Sequence, residues 1–396
     1  MVPTRVDHHR VCPKGRRPLQ LGRGACGHSY GKAADATAVL SGTGAMRILI
    51  ATDAWSPQVN GVVRSLQSLA ASARKLGTEI EFLTPEGFRT FPLPTYPSIR
   101  CGIPIWGEIV RRIELAAPDS LHIATEGPIG HAVRRYCLAR KFSFTTSYMT
   151  RFPEYVSARL PVPLSWSYAV LRRFHAAAAV TMVSTRSLLE ELGNRGFAHL
   201  AMWTRGVDTD LFSPERAALS DLPRPIFVSV GRLAVEKNLA AFLALDLPGS
   251  KVVIGDGPQA GELQRRFPSA HFLGQLEGET LASHIAAADV FVFPSRTDTF
   301  GVVQLEALAC GVPVAAYPVP GPRDVIGGNP VGVLDEDLKS ACLAALTISR
   351  AACRAFALTQ SWERSALQFI SHCRPCGRAP SALLRSAPSP AMRERG

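Results

Sequence analysis

The chain reads as an α/β protein of two doubly wound, Rossmann-like domains. Three observations predict this. Its 396 residues exceed one typical domain. A hydrophobic content of 46% with mean hydropathy +0.09 is enough for two cores and argues against disorder. Short apolar, β-rich runs that end in glycine-bearing loops and lead into helical stretches occur in both halves, as at 47–52, 226–230 and 289–293. No apolar run reaches the length of a membrane span.

Charge and cysteines bound the partners. The net charge is +12, of which residues 1–45 carry +5 and residues 374–396 carry +4. A charge held mainly at the two ends argues little for a nucleic-acid groove, and no nucleic-acid partner is expected. Residues 1–45 are Arg- and Gly-rich without periodicity and hold no apolar stretch of the signal-peptide kind. They are expected to be a disordered basic arm or an over-extended start ahead of Met46, with an Arg-rich transit peptide as a further alternative. Residues 374–396, rich in Arg, Pro, Ser and Ala, are expected to be a disordered tail. Nine cysteines, scattered and odd in number, fit reduced thiols in the cytoplasm. Cys373 and Cys376 are the one close pair, and without a second pair a zinc or redox site is the weaker reading.

The first domain is placed at 46–213. A buried strand over 47–52 ends at Asp53, and the loop Trp55-Ser56-Pro57-Gln58-Val59-Asn60-Gly61 follows. A helix over 62–76 stopped by Gly77 and a strand over 79–83 complete a βαβ unit. Gly61 stands at a helix start, where free N–H groups and the dipole favour an anion; a plain turn glycine is the competing reading. The unit lacks GxGxxG, so nothing supports a nicotinamide. Residues 86–105 are crowded with Pro and aromatics and read as irregular, an active-site flap or acceptor surface. A helix over 109–115, a strand over 121–125, the loop Glu126-Gly127-Pro128-Ile129-Gly130 and a helix over 131–140 come next. The helix over 166–178 carries Arg172, Arg173 and His175, read first as a solvated basic face and second as a face toward a membrane. A strand over 180–184 and a helix over 188–192 ended by Gly193 precede the turn Arg205-Gly206-Val207-Asp208. Pro214, Pro223 and Pro225 mark a linker.

The second domain is placed at 214–360. Its strand over 226–230 leads to Gly231-Arg232 and, five residues on, Lys237. Two cations at a strand end that face a helix start suit a diphosphate, Arg as a fork and Lys as a mobile point charge; a surface pair is the alternative. A strand over 252–254 with the turn Gly255-Asp256-Gly257-Pro258, the segment 271–274 and a helix over 279–288 follow. Residues 317–329 read as a Gly/Pro loop, 332–334 as a strand, and 338–347 and 351–358 as helices. A final helix over 361–373 opens at Ser361-Trp362-Glu363.

The stretch 293–311 is the most informative. The run from Asp289 to Phe293 is a buried strand that Pro294 and Ser295 end. Gly301 allows a close turn before a helix begins near Val302, and Gly311 is placed as its left-handed cap. Strand, polar loop and helix N-terminus form the place where open α/β sheets bind ligands. Asp298 and Glu306 flank seven residues across it. For an isolated pair a capping Asp and an exposed Glu would be the reading; here the glycine approach and the apolar helix favour a sugar or nucleotide site.

Taken together over 46–372, these motifs resemble the retaining glycosyltransferases of family 4, the "group 1" type, whose fold is GT-B. The family usually shows Glu, seven residues, Glu; here the first place is Asp298. The resemblance implies that Arg232 and Lys237 neutralise a departing diphosphate and that Glu306 accepts both ribose hydroxyls. It also implies that Asp298 and the backbone around Thr299, Phe300, Gly301 and Val302 hold the sugar, with Gly61 and Gly231 at the phosphates. Residues 205–212 resemble the family's hinge, 255–258 its G-D-G-P turn, and the final helix is implied to cross back over the first domain. At 146–151 the chain departs from the pattern. Relatives often have Phe-His-Thr there with the His against the donor sugar, whereas this chain has Met149, and His122 or His131 is the candidate to compensate.

The implied activity is transfer of a hexose of mannose or glucose type from a nucleotide diphosphate sugar, with retention. No metal or other cofactor is expected, since Asp208-Thr209-Asp210 spells a metal motif but lies in the hinge. ATEGPIG and PSRTDTFG are similar to the wording of bacterial GDP-mannose-dependent alpha-mannosyltransferases and glycolipid synthases. A lipid acceptor of diacylglycerol or phosphatidylinositol type is therefore expected, with the enzyme cytoplasmic or peripheral on the inner membrane. Two other readings are a GT-B sugar-nucleotide epimerase, which would release nucleotide without an acceptor, and a non-catalytic sugar-nucleotide binding protein, motivated by Met149.

Overall fold

The computed structural model describes residues 45–56, 61–93, 96–157, 161–217 and 221–376. The expected basic arm and tail, and residues 57–60 of the first loop, lie outside the described residues.

The chain opens with β1 (Met46–Ala51), α1 (Gly61–Lys75) and β2 (Thr78–Leu83), the expected βαβ unit. Residues 86–105 are not irregular. They contain the antiparallel hairpin β3 (Thr90–Leu93) and β4 (Tyr96–Gly102), whose register shifts between Pro92 and Leu93. A ribbon of two edge strands tolerates proline, which is why Pro92 and Pro97 misdirect the sequence reading. Then come α2 (Trp106–Ala116), β5 (Ser120–Ile123), α3 (Pro128–Arg140), β6 (Thr145–Tyr148), α4 (Phe152–Ser157), α5 (Leu164–His175), β7 (Val180–Val183), α6 (Arg186–Asn194) and β8 (Leu200–Met202). Gly193 lies inside α6 rather than ending it; the left-handed residue past that helix is Gly196, φ 81°. The strand order is β2-β1-β5-β6-β7-β8, parallel throughout.

A second parallel sheet has the order β11-β10-β9-β12-β13-β14. Its elements are β9 (Ile226–Val230), α7 (Leu239–Leu243), β10 (Ser250–Ile254), α8 (Ala260–Arg266), β11 (His271–Phe272), α9 (Gly278–Ala286), β12 (Val290–Phe293), α10 (Val302–Ala309), β13 (Val314–Ala316), α11 (Pro320–Ile326) and β14 (Gly332–Leu334). α11 occupies what the sequence reads as a Gly/Pro loop. Pro320 is its first residue, where a missing N–H costs nothing and the fixed φ suits the helix. Helices lie on both faces, so β12 is buried along its whole length. The order reverses between β9 and β12, and such a reversal opens a crevice at the carboxyl ends of the strands.

α12 (Leu338–Ala345) and α13 (Arg350–Leu358) lead to α14 (Trp362–His372), capped by the Ser361 side chain, which accepts from Arg364 N–H. α14 returns to the first sheet. Ala366, Phe369 and Ile370 pack with Leu66, Leu69 and Trp203, and Trp203 Nε1 donates to Ser365 Oγ at 3.1 Å. Gly206 lies where this return crosses the hinge, so close that a Cβ would stand 2.4 Å from Trp362 N. The packing runs past the expected end at 373. Cys376 is buried, and its N–H donates to Asp119 O at 3.0 Å. The seven described cysteines are all buried and free.

A variant spanning 45–376 should melt with the full chain, because the removed ends carry no core-forming pattern. Ending at 372 instead removes the buried Cys373 and Cys376, with the Cys376 N–H bond to Asp119 O, and costs about 2–3 kcal/mol. Calorimetry on both variants checks this, and equal melting temperatures would refute it.

Candidate active site

The crevice at the β9/β12 reversal is lined by Ser229, Gly231, Arg232, Lys237, Phe293 and Ser295. Gly231 and Arg232 leave the end of β9 directly, and Lys237 closes a single 3-10 turn, Val235–Lys237. Asn238 follows in the left-handed conformation, φ 53°, and its side-chain amide donates to Pro294 O at 3.2 Å. That bond fixes the lysine turn against the loop after β12. Lys237 Nζ reaches both oxygens of Asp298, at 2.7 and 2.8 Å. The expected diphosphate cation and the expected sugar carboxylate are thus direct partners.

The loop turns into α10 at Gly301, φ 79°. A Cβ there would lie 2.7 Å from the Phe293 ring and 2.6 Å from the Gln304 amide nitrogen, so geometry and space both require glycine. Gly301 brings no capping side chain; Gln304 N–H donates to Gly301 O at 3.0 Å, and the N–H groups of Val302 and Val303 are left as donors for a ligand. Glu306 lies one turn further on and is only 8% exposed. Its Oε2 has no hydrogen-bond partner among the described residues, and its Oε1 lies 4.0 Å from Arg64 of α1. Burial pushes its carboxyl up, and the Arg64 charge works against that rise.

The two sheets meet over this loop. Thr299 Oγ1 donates to Met149 O at 3.1 Å, and Ser184 Oγ donates to Thr299 O at 3.4 Å. Beside them Ser187 donates from both N–H and Oγ to Asp324 Oδ1, at 3.0 and 3.1 Å. Asp53, at the end of β1, accepts from Ile129 N–H at 2.8 Å and from Thr125 Oγ1 at 2.9 Å, which pins the start of α3. Burial raises its pKa despite those bonds.

A family model described as "Glycosyltransferase Family 4" matches residues 59–211, and one described as "Glycosyl transferases group 1" matches residues 224–348. The GDP-mannose-dependent alpha-mannosyltransferase of Mycobacterium tuberculosis is 31% identical over 320 residues, covering 73% of this chain and 83% of that protein. The chain belongs to glycosyltransferase family 4. This family 4 enzyme is also similar to the alpha-monoglucosyldiacylglycerol synthase of Streptococcus pneumoniae, at 26% identity over 350 residues, 76% of this chain and 78% of that one. Among solved structures it shares its fold with sucrose-phosphate synthase from Thermosynechococcus elongatus, with a TM-score of 0.64 at 19% identity, over 82% of this chain and 97% of that one. The fold is GT-B, and the family 4 chain is a glycosyltransferase that uses nucleotide sugars.

Of the expected donor residues of this glycosyltransferase, Gly231, Arg232 and Lys237 line the crevice at the β9/β12 reversal, and Asp298 joins them through Lys237. Thr299, Gly301, Val302 and Glu306 follow on the loop and helix after β12. The Phe300 side chain turns away into the core beneath α10, leaving its backbone at the site. Gly61 is the first residue of α1, with open space around it.

The sugar-side histidines do not join them. His122 is fully buried under α14, edge-on to Phe369 at 4.9 Å, and its ring nitrogens bond Thr145 and Ser147. Burial lowers its pKa to about 3, so it is a neutral core histidine. His131 is on the outer side of α3, edge-on to Phe174 at 4.8 Å. Met149 alone of the three touches the sugar loop, through its carbonyl. His175, read as part of a basic face, is buried and bonds Thr146 and Glu126. Asp208 of the DxD spelling accepts from Asp210 and Leu211 N–H and closes a turn. Among the described residues no cluster of three or more metal-ligating side chains is found.

Sequence reasoning missed Arg64. A signal was present, since a cation in the first turn of a helix opposes the dipole and calls for a partner outside it.

Proposed function

We propose that this enzyme transfers a hexose of mannose or glucose type from a nucleotide diphosphate sugar to a membrane lipid, with retention and without a metal ion. The observation that carries the reading is the pairing of Lys237, which lines the crevice with Arg232, and Asp298, on the loop that leads into the uncapped start of α10. In this reading the anomeric C–O bond to the diphosphate breaks while the acceptor oxygen bonds the same carbon, and the acceptor proton passes to the departing phosphate oxygen. Arg232 and Lys237 take the growing charge on the diphosphate, the task a metal would otherwise perform. Glu306 holds the ribose, and Asp298 with the α10 N–H groups orients the sugar. Both relatives named above form alpha products, and common mannose and glucose nucleotides are themselves alpha-linked, which supports retention.

A lipid acceptor is supported by the name of the diacylglycerol-dependent relative and by the first domain's outer surface. Trp166, 74% exposed, and Val170 stand on α5 with Arg172 and Arg173. Ile105 and Trp106 are exposed where α2 begins, with Arg135 of α3 stacked on Trp106 at 4.7 Å. Arg134 of α3 donates to Phe174 O and Arg173 O and so joins α3 to α5. Exposed aromatics among arginines suit the interface of an anionic bilayer on the cytoplasmic face, where the enzyme would sit peripherally. Incubation with GDP-mannose or UDP-glucose, lipid vesicles and EDTA, followed by mass spectrometry of the lipid extract, should show one new hexosyl lipid. Only water-soluble product would refute the lipid acceptor, and strict dependence on divalent metal would refute the electrostatic account.

A further inference from the structure

The reach of Arg64 across the cleft is unexplained by the donor contacts above. It rises from the first turn of α1 on the first sheet, yet its guanidinium meets Glu306 on α10 of the second sheet. Glu306 is buried, with one oxygen 4.0 Å from Arg64 and the other without a partner among the described residues. A carboxylate in such a place stays ionised only if a cation offsets its lost hydration. The other charged groups near α10 do not serve. Arg350 and Arg354 of α13 bond the carbonyls of Cys310 and Ala309 at the far end of the helix. The thiol of Cys310, the residue after α10, is pushed up to about 12 by burial and stays neutral. Lys237 is engaged by both oxygens of Asp298.

We propose that Arg64 is a positioning residue that acts through Glu306, holding its carboxylate ionised and oriented for the donor ribose from the opposite side of the cleft. The inference rests on the donor site described above and adds the residue by which the first sheet governs that site. Glu306 can accept two ribose hydroxyl bonds only as the carboxylate; protonated, it would donate one and lose an acceptor. One contact therefore couples the meeting of the two sheets to the readiness of the donor pocket.

The tests are Arg64→Met, which keeps the stem and removes the charge, and Arg64→Lys, which restores a charge. Without Arg64 the Glu306 carboxyl rises further. The acid limb of kcat/KM for the donor should then move to higher pH, with a loss of about tenfold on the acid side of the limb and little change on its alkaline side. Titration of GDP and of UDP should show the same shift in affinity, and Arg64→Lys should recover most of it. In a Glu306→Gln background Arg64→Met should add nothing, since Gln has no charge to hold. A loss equal at every pH, or equal in both backgrounds, overturns the proposal in favour of direct contact with substrate or a structural role. Wild-type nucleotide binding with an unshifted Arg64→Met profile overturns the inference alone. Failure of the wild type to bind either nucleotide overturns the donor reading and the inference together.

Discussion

Replacing Lys237 by alanine should lower kcat/KM for the donor by about a hundredfold or more, the usual loss of one preorganised charged contact in a closed site. Two losses combine here. The diphosphate loses a cation placed at the strand end, and Asp298, held at 2.7 and 2.8 Å, loses its bidentate partner. A poorly exposed carboxylate left unpaired also repels the leaving diphosphate across the same crevice. The fold should survive, because the lysine turn is fixed by Asn238 and by Ser295 Oγ, which donates to Glu236 O at 3.1 Å. Initial rates with unchanged thermal melting would show this. A loss under tenfold would mean that Arg232 alone carries the diphosphate charge.

The second sheet was legible because local signals agreed there. The run 290–293 is apolar on both faces, Pro294 ends it, and Gly311 caps the helix with φ 71°. Propensity, burial and turn chemistry point the same way, so strand, loop and helix could be placed within a residue or two. The first sheet was harder. β6 reads Thr-Thr-Ser-Tyr, polar by composition, and is buried because its hydroxyls bond within the sheet, as Thr146 to Thr181 at 3.0 Å. His122 enters the sequence reading as a stand-in for the family histidine that Met149 replaces, and the partners that make it a core residue, Thr145 and Ser147, lie on that unrecognised strand. The contacts that complete the site, Arg64 with Glu306 and Thr299 with Met149, join residues remote in sequence. No local pattern encodes such pairs, since they depend on how two separately folded sheets face each other.

Met149→His should raise the transfer rate by about five- to 150-fold, the effect of one added polar contact of about 1–3 kcal/mol in the transition state. Position 149 follows β6, and its carbonyl accepts from Thr299 Oγ1, so its backbone stands beside the sugar loop. The methionine side chain is 8% exposed and packs with Ile48, Ile50 and Leu66, so the more polar histidine gains its contact by turning from that cluster toward the loop. A thioether is in any case a weak acceptor, whereas imidazole both donates and accepts. Neither His122 nor His131 can supply the missing contact, the first being sealed in the core and the second lying on the outer side of α3. Affinity for free GDP or UDP should stay the same, because the proposed ribose and diphosphate contacts come from Glu306, Arg232 and Lys237 on the other sheet. Calorimetric titration of nucleotide beside initial rates for both forms separates the two effects. An unchanged rate at equal nucleotide affinity would show that the sugar is held entirely by the loop of the second sheet, with the first sheet contributing no side chain at this position.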